Sequence, residues 1–185
     1  MTPEDFDAAF DGFTTSVWRL EALQQYTVEE ERERILAWRE GLPRPERSVR
    51  TSPWLRRIAV STAAGKRWGR VHLVTHPLSE YVRYELGGYV ESAATGEEIS
   101  IADQAAHPGL ASAGPDFWLF DEGTPGEFAI MMSYDGDGYW LGAKRTSNPD
   151  TLARCRKVKA LALDHAVPLN AYLASIGADG LRQTA

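Results

Sequence analysis

The segment EFAIMMSYDGDGYWLGAKR, residues 127 to 145, constrains the fold more than any other. Two apolar runs flank Asp135-Gly136-Asp137-Gly138, and those four residues have the chemistry of a tight hairpin turn. A chain with such a segment contains antiparallel sheet. Just upstream, PDFWLFDEG sets four apolar residues between acids. It is too short for a helix with such flanks and reads as a strand buried on both faces.

The rest of the chain alternates helix and strand signals. TPEDFDAAFDGF predicts a helix over 3–13, capped by Thr2, with Phe6, Phe10 and Phe13 on one face. SVWRLEAL alternates as a half-buried strand, Trp18, Leu20 and Ala22 facing one way and Val17, Arg19 and Glu21 the other. TVEEERERILAWREGLP predicts a helix opened by a Thr27–Glu30 capping box. Ser52 and Pro53 open another, with Trp54, Leu55, Ile58 and Ala59 inward. A strand follows over 67–75, its Trp68, Arg70 and His72 sharing one face, then a helix over 79–93. GEEISIAD is a short strand, and Asn148-Pro149 starts a helix that Pro168 bends or ends. PLNAYLASIG adds a short helix. The order α-β-α-α-β-α-β-β-β-β-α implies α+β: a single mixed, mostly antiparallel sheet with helices packed on it.

A chain of 185 residues suits one domain, here residues 1–185, with a linker over 43–51 and a tail that frays over 178–185. A net charge of -6 argues against a dedicated nucleic-acid binder, which needs excess Lys and Arg. The single cysteine, Cys155, excludes an internal disulfide and a cysteine-rich zinc site. The N-terminal residues lack a signal peptide's basic and apolar regions, and no run reaches the length of a membrane span, so a soluble cytoplasmic protein is expected.

Several residues invite a functional reading. In RVHLVTHPLSEYVRYELGGY, residues 70 to 89, the period changes from strand to helix across Thr75–Ser79. A helix starting at Ser79 offers free N–H groups to an anion, with His76 as a proton switch and Arg70 or Arg83 as a clamp. The plain alternative is a corner: Ser79 caps its own helix, Pro77 sets the turn, and His76 is a surface residue. Residues 44–70 carry eight basic residues against one acid, Glu46, with Trp54 and Trp68 interleaved. Such a mix can grip phosphates and stack bases, but a solvated face or a dock for an acidic partner fits better. The acids do not point to a metal. Asp116 and Asp121 fall on opposite faces and ends of their strand, and DGDG lacks the ligand spacing of an EF-hand. No metal site and no cofactor are expected. There is no nucleophile elbow, and Cys155 and His165 lie too far apart on one helix to form a catalytic pair.

The succession FDGFTTSVWRLEALQQY, RVHLVTHPLSEYVRYEL, GEEI, DFWLFDEG and NPDTLARCRKVKALALDHAVPLNAY resembles an uncharacterised actinobacterial family of about this length, a domain of unknown function. The resemblance covers residues 6 to 172 and is carried most by PLSEYVRYEL and DFWLFD. It implies a cytoplasmic accessory protein of a regulatory system, encoded near helix-turn-helix regulators, and brings no catalytic residues.

The sequence thus leads to a regulatory or interaction module that binds a protein partner or a small anionic ligand. The expected surface comprises Arg56, Arg57, Arg67, Arg70, His76, Ser79, Tyr81 and Arg83. On that reading, replacing Arg67 and Arg70 with Ala weakens partner capture without unfolding the domain. The alternative is an enzyme acting on a phosphorylated or other anionic small molecule, with His76 as acid or base in a cleft with Tyr81, Tyr84 and Glu85. A third reading, single-stranded nucleic-acid binding, needs Trp54 or Trp68 exposed.

Overall fold

A computed structural model describes residues 1–180. Among them are seven α-helices and one seven-stranded mixed sheet, ordered β6-β5-β4-β1-β2-β3-β7. The strands are β1 (Ser16–Glu21), β2 (Arg67–Val74), β3 (Glu97–Asp103), β4 (Phe117–Phe120), β5 (Phe128–Tyr134), β6 (Trp140–Thr146) and β7 (Val167–Pro168). Strands β1, β2 and β3 run parallel, and the other pairings are antiparallel. The fold class is the α+β arrangement expected from the sequence. No helix among the described residues is long and apolar enough to cross a membrane. Of the tail expected to fray, residues 181–185 lie outside the described residues.

The parallel strands need crossovers, and helices supply them. Helices α2 (Arg32–Arg39) and α3 (Pro53–Ala63) connect β1 to β2; α4 (Glu80–Ala93) connects β2 to β3. Both α3 and α4 start as the sequence predicts. The Ser52 hydroxyl accepts from the Leu55 N–H at 3.3 Å, and Ser79 accepts from Val82 at 3.0 Å. The Thr27–Glu30 capping box does not form. Residues Glu29–Glu31 make a 3-10 turn instead, and the Thr27 hydroxyl donates to the Asp137 carbonyl at 2.7 Å. Tertiary pairing with the hairpin turn thus takes the cap away from the helix. That approach also fixes Gly138, at φ 81°, where a Cβ would stand 2.4 Å from the Gln25 carbonyl oxygen.

The sheet buries both faces. On one, Trp18, Leu20, Val71, Leu73, Phe117, Leu119 and Ala129 pack under α5 (Pro108–Ala111) and α6 (Pro149–His165), whose Leu152, Cys155 and Ala162 form the inward stripe. The opposite face is covered in two parts. Helices α1 (Pro3–Gly12) and α3 seal one end around Phe10, Phe13, Leu55, Ile58, Trp68, Trp118 and Phe120. Helices α4 and α7 (Leu169–Gly180) seal the other around Val74, Val82, Leu86, Ile99, Ile101 and Leu169. Strand β4 is buried along its whole length, as FWLF predicts. Trp68 is fully buried, so it offers no stacking platform for bases, and Trp54 packs edge-on against it. At the far end of β4, Asp121 accepts the backbone N–H groups of Thr14, Thr15 and Ser16 and pins the α1–β1 turn.

Trp68→Ala is expected to cost about 3–5 kcal/mol, the range for emptying a large core site. Val60→Ala, at a residue 65% exposed on the outer side of α3, stays within about 0.5 kcal/mol. Urea midpoints of the two variants check the contrast.

Candidate functional site

Between the two apolar patches on the α1–α4 face lies a strip of buried charge. Strand alternation puts Arg19 and Glu21 of β1, and Arg70 and His72 of β2, on this face, in register as Arg19↔Arg70 and Glu21↔His72. The sequence showed the shared face of Trp68, Arg70 and His72, but on the same side of β1 Glu21 is buried as well and Arg19 half-buried. Helix α4 lays Tyr81, Glu85 and Tyr89 over the strip, four residues apart and hence on one side. Glu97 closes it from β3, Asp116 and Tyr26 from the end of β4 and the loop after β1.

Glu21 is the hub. Its Oε2 accepts from Arg70 at 2.7 Å and from the Tyr89 hydroxyl at 2.6 Å, while Arg19 reaches Oε1 at 2.9 Å. Burial alone raises a carboxylate's pKa. The two guanidiniums, with His72 beside them, outweigh it and hold Glu21 down at about 2. Arg70 also donates through Nε to Glu97 at 2.9 Å. Asp116 accepts from the Ala22 N–H at 2.8 Å and the Tyr26 hydroxyl at 2.5 Å; burial raises its pKa despite nearby Arg19.

Hydrogen-bond bookkeeping fixes the state of His72. Its Nε2 lies 2.7 Å from the Leu23 carbonyl, which can only accept. Its Nδ1 lies 2.8 Å from the Tyr89 oxygen. Tyr89 has one proton and gives it to Glu21, so Nδ1 must carry a proton of its own. His72 is therefore an imidazolium, fully buried. Burial opposes that charge, but Glu85, whose Oε2 stands 3.3 Å from Nδ1, Glu21 and the Leu23 carbonyl together raise the pKa.

Not every group is matched. Glu85 Oε2, Glu97 Oε2, Arg19 Nε and Trp118 Nε1 are buried without a hydrogen-bond partner. Glu31, which accepts from the Tyr81 hydroxyl at 3.0 Å, has its pKa pushed up to about 7 by burial and then by the Glu85 charge. A pocket of about 60 Å³ descends to this region between α4 and segment 31–47. Arg34 and Arg47 line its rim, and Arg70, Glu85 and Tyr89 its floor. The two rim arginines are already paired with Glu91, at 2.5 and 3.3 Å.

The residues expected to form one surface are spread over the molecule. Arg56 caps the Val49 and Arg50 carbonyls, and Arg57 pairs with Asp7 and Asp11 of α1. Arg67 is exposed at the start of β2, while His76 is exposed beyond its other end. Ser79 caps α4 and donates to the Gln24 carbonyl; Arg83 donates to the Leu78 carbonyl. Only Arg70 and Tyr81 reach the buried strip. The Thr75–Ser79 joint is thus a corner tied down by Gln24, whose side chain accepts from the Thr75 N–H at 2.8 Å. No cleft gathers His76 with Tyr81, Tyr84 and Glu85, because these three are buried under α4 while His76 points to solvent. The missed residues are Arg19, Glu21, Tyr26 and Tyr89; Glu85 is expected from sequence only in a cleft with His76, and Asp116 and Glu97 only as acids that do not point to a metal. A usable signal existed: β1 and β2 each place two charged or titratable residues on one face, and opposite signs there permit pairing.

A second feature lies on the surface. Strand β6 forms one edge of the sheet, its outer side unpaired beyond the bridge between Thr27 and Tyr139 that precedes it. A register shift opposite Ser133 and Tyr134 leaves Leu141 as the extra residue of a bulge, 69% exposed. Tyr139 and Trp140 beside it are also exposed. Along β6, a groove of about 550 Å³ runs against α1, lined by Ala8, Ala9, Phe128, Ala143, Lys144 and Arg145. Arg145 stacks on the Phe128 ring, and neither it nor Lys144 forms an ion pair among the described residues.

These features define an α+β domain with a charged seam inside its sheet face and one open sheet edge. The chain belongs to the domain of unknown function family DUF6879, whose model matches residues 4–174. No curated protein matches it.

Arg70→Ala leaves Glu21 and Glu97 facing each other in the interior and is expected to destabilise the fold by about 3–5 kcal/mol. Arg67→Ala, at an exposed side chain, changes it by less than about 0.5 kcal/mol. The double replacement is therefore expected to destabilise the domain, almost wholly through Arg70; chemical denaturation of the single variants separates the effects. The Glu31 shift sets a pH dependence. Its folded pKa of about 7 lies above the ordinary 4.5, so the native state holds this proton longer than the unfolded chain does. Stability falls as pH rises between those values, and the cost is complete above the upper one. Glu31→Gln should raise stability near pH 8 by about 1–3 kcal/mol and leave it unchanged near pH 4. Unfolding midpoints at both pH values test the sign.

Proposed function

We propose that this chain is a regulatory interaction module that binds a protein partner through the β6 edge. The observation carrying this reading is the open edge itself: Trp140 and Leu141 stand exposed at the start of a strand whose outer side is unpaired, just past Tyr139, which bridges Thr27. Soluble domains ordinarily blunt such an edge. An extended segment adding to it gains main-chain hydrogen bonds, and the side chains decide which segment fits. Apolar residues of the partner meet Leu141 and the groove beside α1. Acidic ones meet Lys144 and Arg145, which have no acidic neighbour paired to them among the described residues. The bulge and the two basic residues disfavour indiscriminate strand pairing, so the preferred partner is an acidic, alternating strand.

This reading favours the partner over the small anion. The arginines nearest the pocket are already matched by carboxylates, so an incoming anion gains little there. The resemblance to an actinobacterial family encoded near helix-turn-helix regulators supplies the context, a cytoplasmic accessory protein of a regulatory system.

The test starts from cross-linked partners captured in the source cells, each then purified and titrated against the chain. A true partner binds wild type, protects the amides of residues 140–146 from exchange, and loses about 10–30-fold in affinity to Leu141→Lys. Val60→Lys, at an equally exposed site on α3, leaves affinity unchanged. Protection confined to another surface, or equal affinity for Leu141→Lys, removes the reading.

A further inference from the structure

We propose that Glu21, His72 and Glu85 form a binding site for one divalent cation of the zinc class. The site is independent of the β6 edge. Geometry carries it first. One nitrogen and two carboxylate oxygens, one from each residue, lie within 4.8 Å of one another. Ligands about 2.1 Å from a tetrahedral ion stand roughly 3.4 Å apart. The His72 Nδ1 to Glu85 Oε2 separation is already 3.3 Å.

The second observation is the orphaned oxygen. Glu85 is only 9% exposed, and its Oε2 has no hydrogen-bond partner. Its nearest positive group is the His72 ring, 3.3 Å away, but the Nδ1 proton is turned to the Tyr89 oxygen, so Oε2 keeps unused acceptor capacity in the interior, which is costly. Glu21 has room to join. Of four acceptor positions it uses three, for Arg19, Arg70 and Tyr89. The Tyr89 hydroxyl, beside both Glu21 and His72, is a further donor within reach.

The surroundings match a metal-bound histidine. A ligating imidazole commonly gives its other N–H to a carbonyl, which sets the ring's orientation. His72 Nε2 does this with Leu23 at 2.7 Å. Charge points the same way. Four buried carboxylates, from Glu21, Glu85, Glu97 and Asp116, converge here against two guanidiniums, from Arg19 and Arg70. An imidazole with two carboxylates suits zinc or manganese better than magnesium, which prefers oxygen ligands and its own water. The pocket of about 60 Å³ is lined by Glu85 and Tyr89 but not by Glu21 or His72, so it gives room for a water beside Glu85 rather than the ion's own seat.

The experiment uses the full chain after removal of metal with a chelator. Zinc, manganese and magnesium are each titrated by calorimetry, and cobalt is added to read ligand type from its visible absorption. Zinc should bind at one ion per chain, raise the melting temperature, and bind at least about tenfold more weakly to Glu85→Gln. Cobalt should give bands of a low-symmetry nitrogen–oxygen site that vanish in that variant. Glu85→Gln keeps the shape of the buried side chain, and circular dichroism confirms that it folds. His72→Gln is a second probe. If it fails to fold, ring-nitrogen shifts of His72 in the wild-type zinc titration replace it. Absence of saturable zinc or manganese binding, or binding unchanged in Glu85→Gln with the His72 ring unperturbed, overturns the proposal.

Discussion

The Glu21 carboxylate, held by Arg19, Arg70 and Tyr89, is the interaction on which the rest of the fold turns. Burying two guanidiniums and a carboxylate is costly, and their mutual attraction repays that cost only when the remaining polar atoms find partners. Here the partners come from every element nearby. Glu97 of β3 takes the free side of Arg70, and Tyr134 of β5 accepts from Arg19 at 3.3 Å. Trp118 lies under both guanidiniums, at 4.9 and 5.9 Å. Helix α4 is placed by the same chemistry. Its apolar residues Val82 and Leu86 fit many rotations against a sheet, whereas Glu85 and Tyr89 meet His72 and Glu21 in only one.

The apolar clusters explain why the charges sit where they do. Aromatic packing around Phe10, Trp68 and Trp118 closes one end of the sheet face, and the α4–α7 contacts close the other. Over the middle of the face only α4 reaches, and it does so through the polar side chains of Tyr81, Glu85 and Tyr89 rather than apolar ones. That polar strip falls at the carboxyl ends of β1 and β2, where open parallel sheets commonly hold ligands. Segment 26–47 covers it only in part, through a short 3-10 turn, a two-turn helix and arginine contacts to Glu91. The covering leaves a pocket beside Glu31 and Glu85, where burial and the Glu85 charge raise the Glu31 pKa.

Local signals made most elements legible. FWLF, the DGDG hairpin and the Ser-Pro and Asn-Pro helix starts depend on neighbours a few residues away, and each forms as read. The seam depends on pairs far apart in the chain: Glu21 meets Arg70 across 49 residues and Tyr89 across 68. Alternation put Arg19 and Glu21 on one face, but a charged side of a strand ordinarily faces water, so it read as solvated. Only the pairing of β1 with β2 reveals that the charges opposite are complementary. The Thr75–Ser79 joint failed in the reverse way. A capping serine, a proline and a histidine looked like a docking point, yet Ser79 and Thr75 are consumed by Gln24, a residue no local pattern connects to them.

The seam and the open edge are contiguous. Tyr134 accepts from Arg19 on one side and pairs with Trp140 across the bulge on the other. Tyr26 packs against Tyr134 and donates to Asp116. Contact alone does not make two sites communicate; an element with two arrangements is required, and both sites must bias it. The bulge at Ser133–Tyr134 is the place in this sheet where register is already interrupted, so a shift there breaks few ladder bonds. Any change in charge at Glu21 acts on Arg19, and through it on the tyrosine that borders this bulge. This hydrogen-bonded and packed route from the protein's interior charge to its exposed strand runs through side chains that the fold already holds in place.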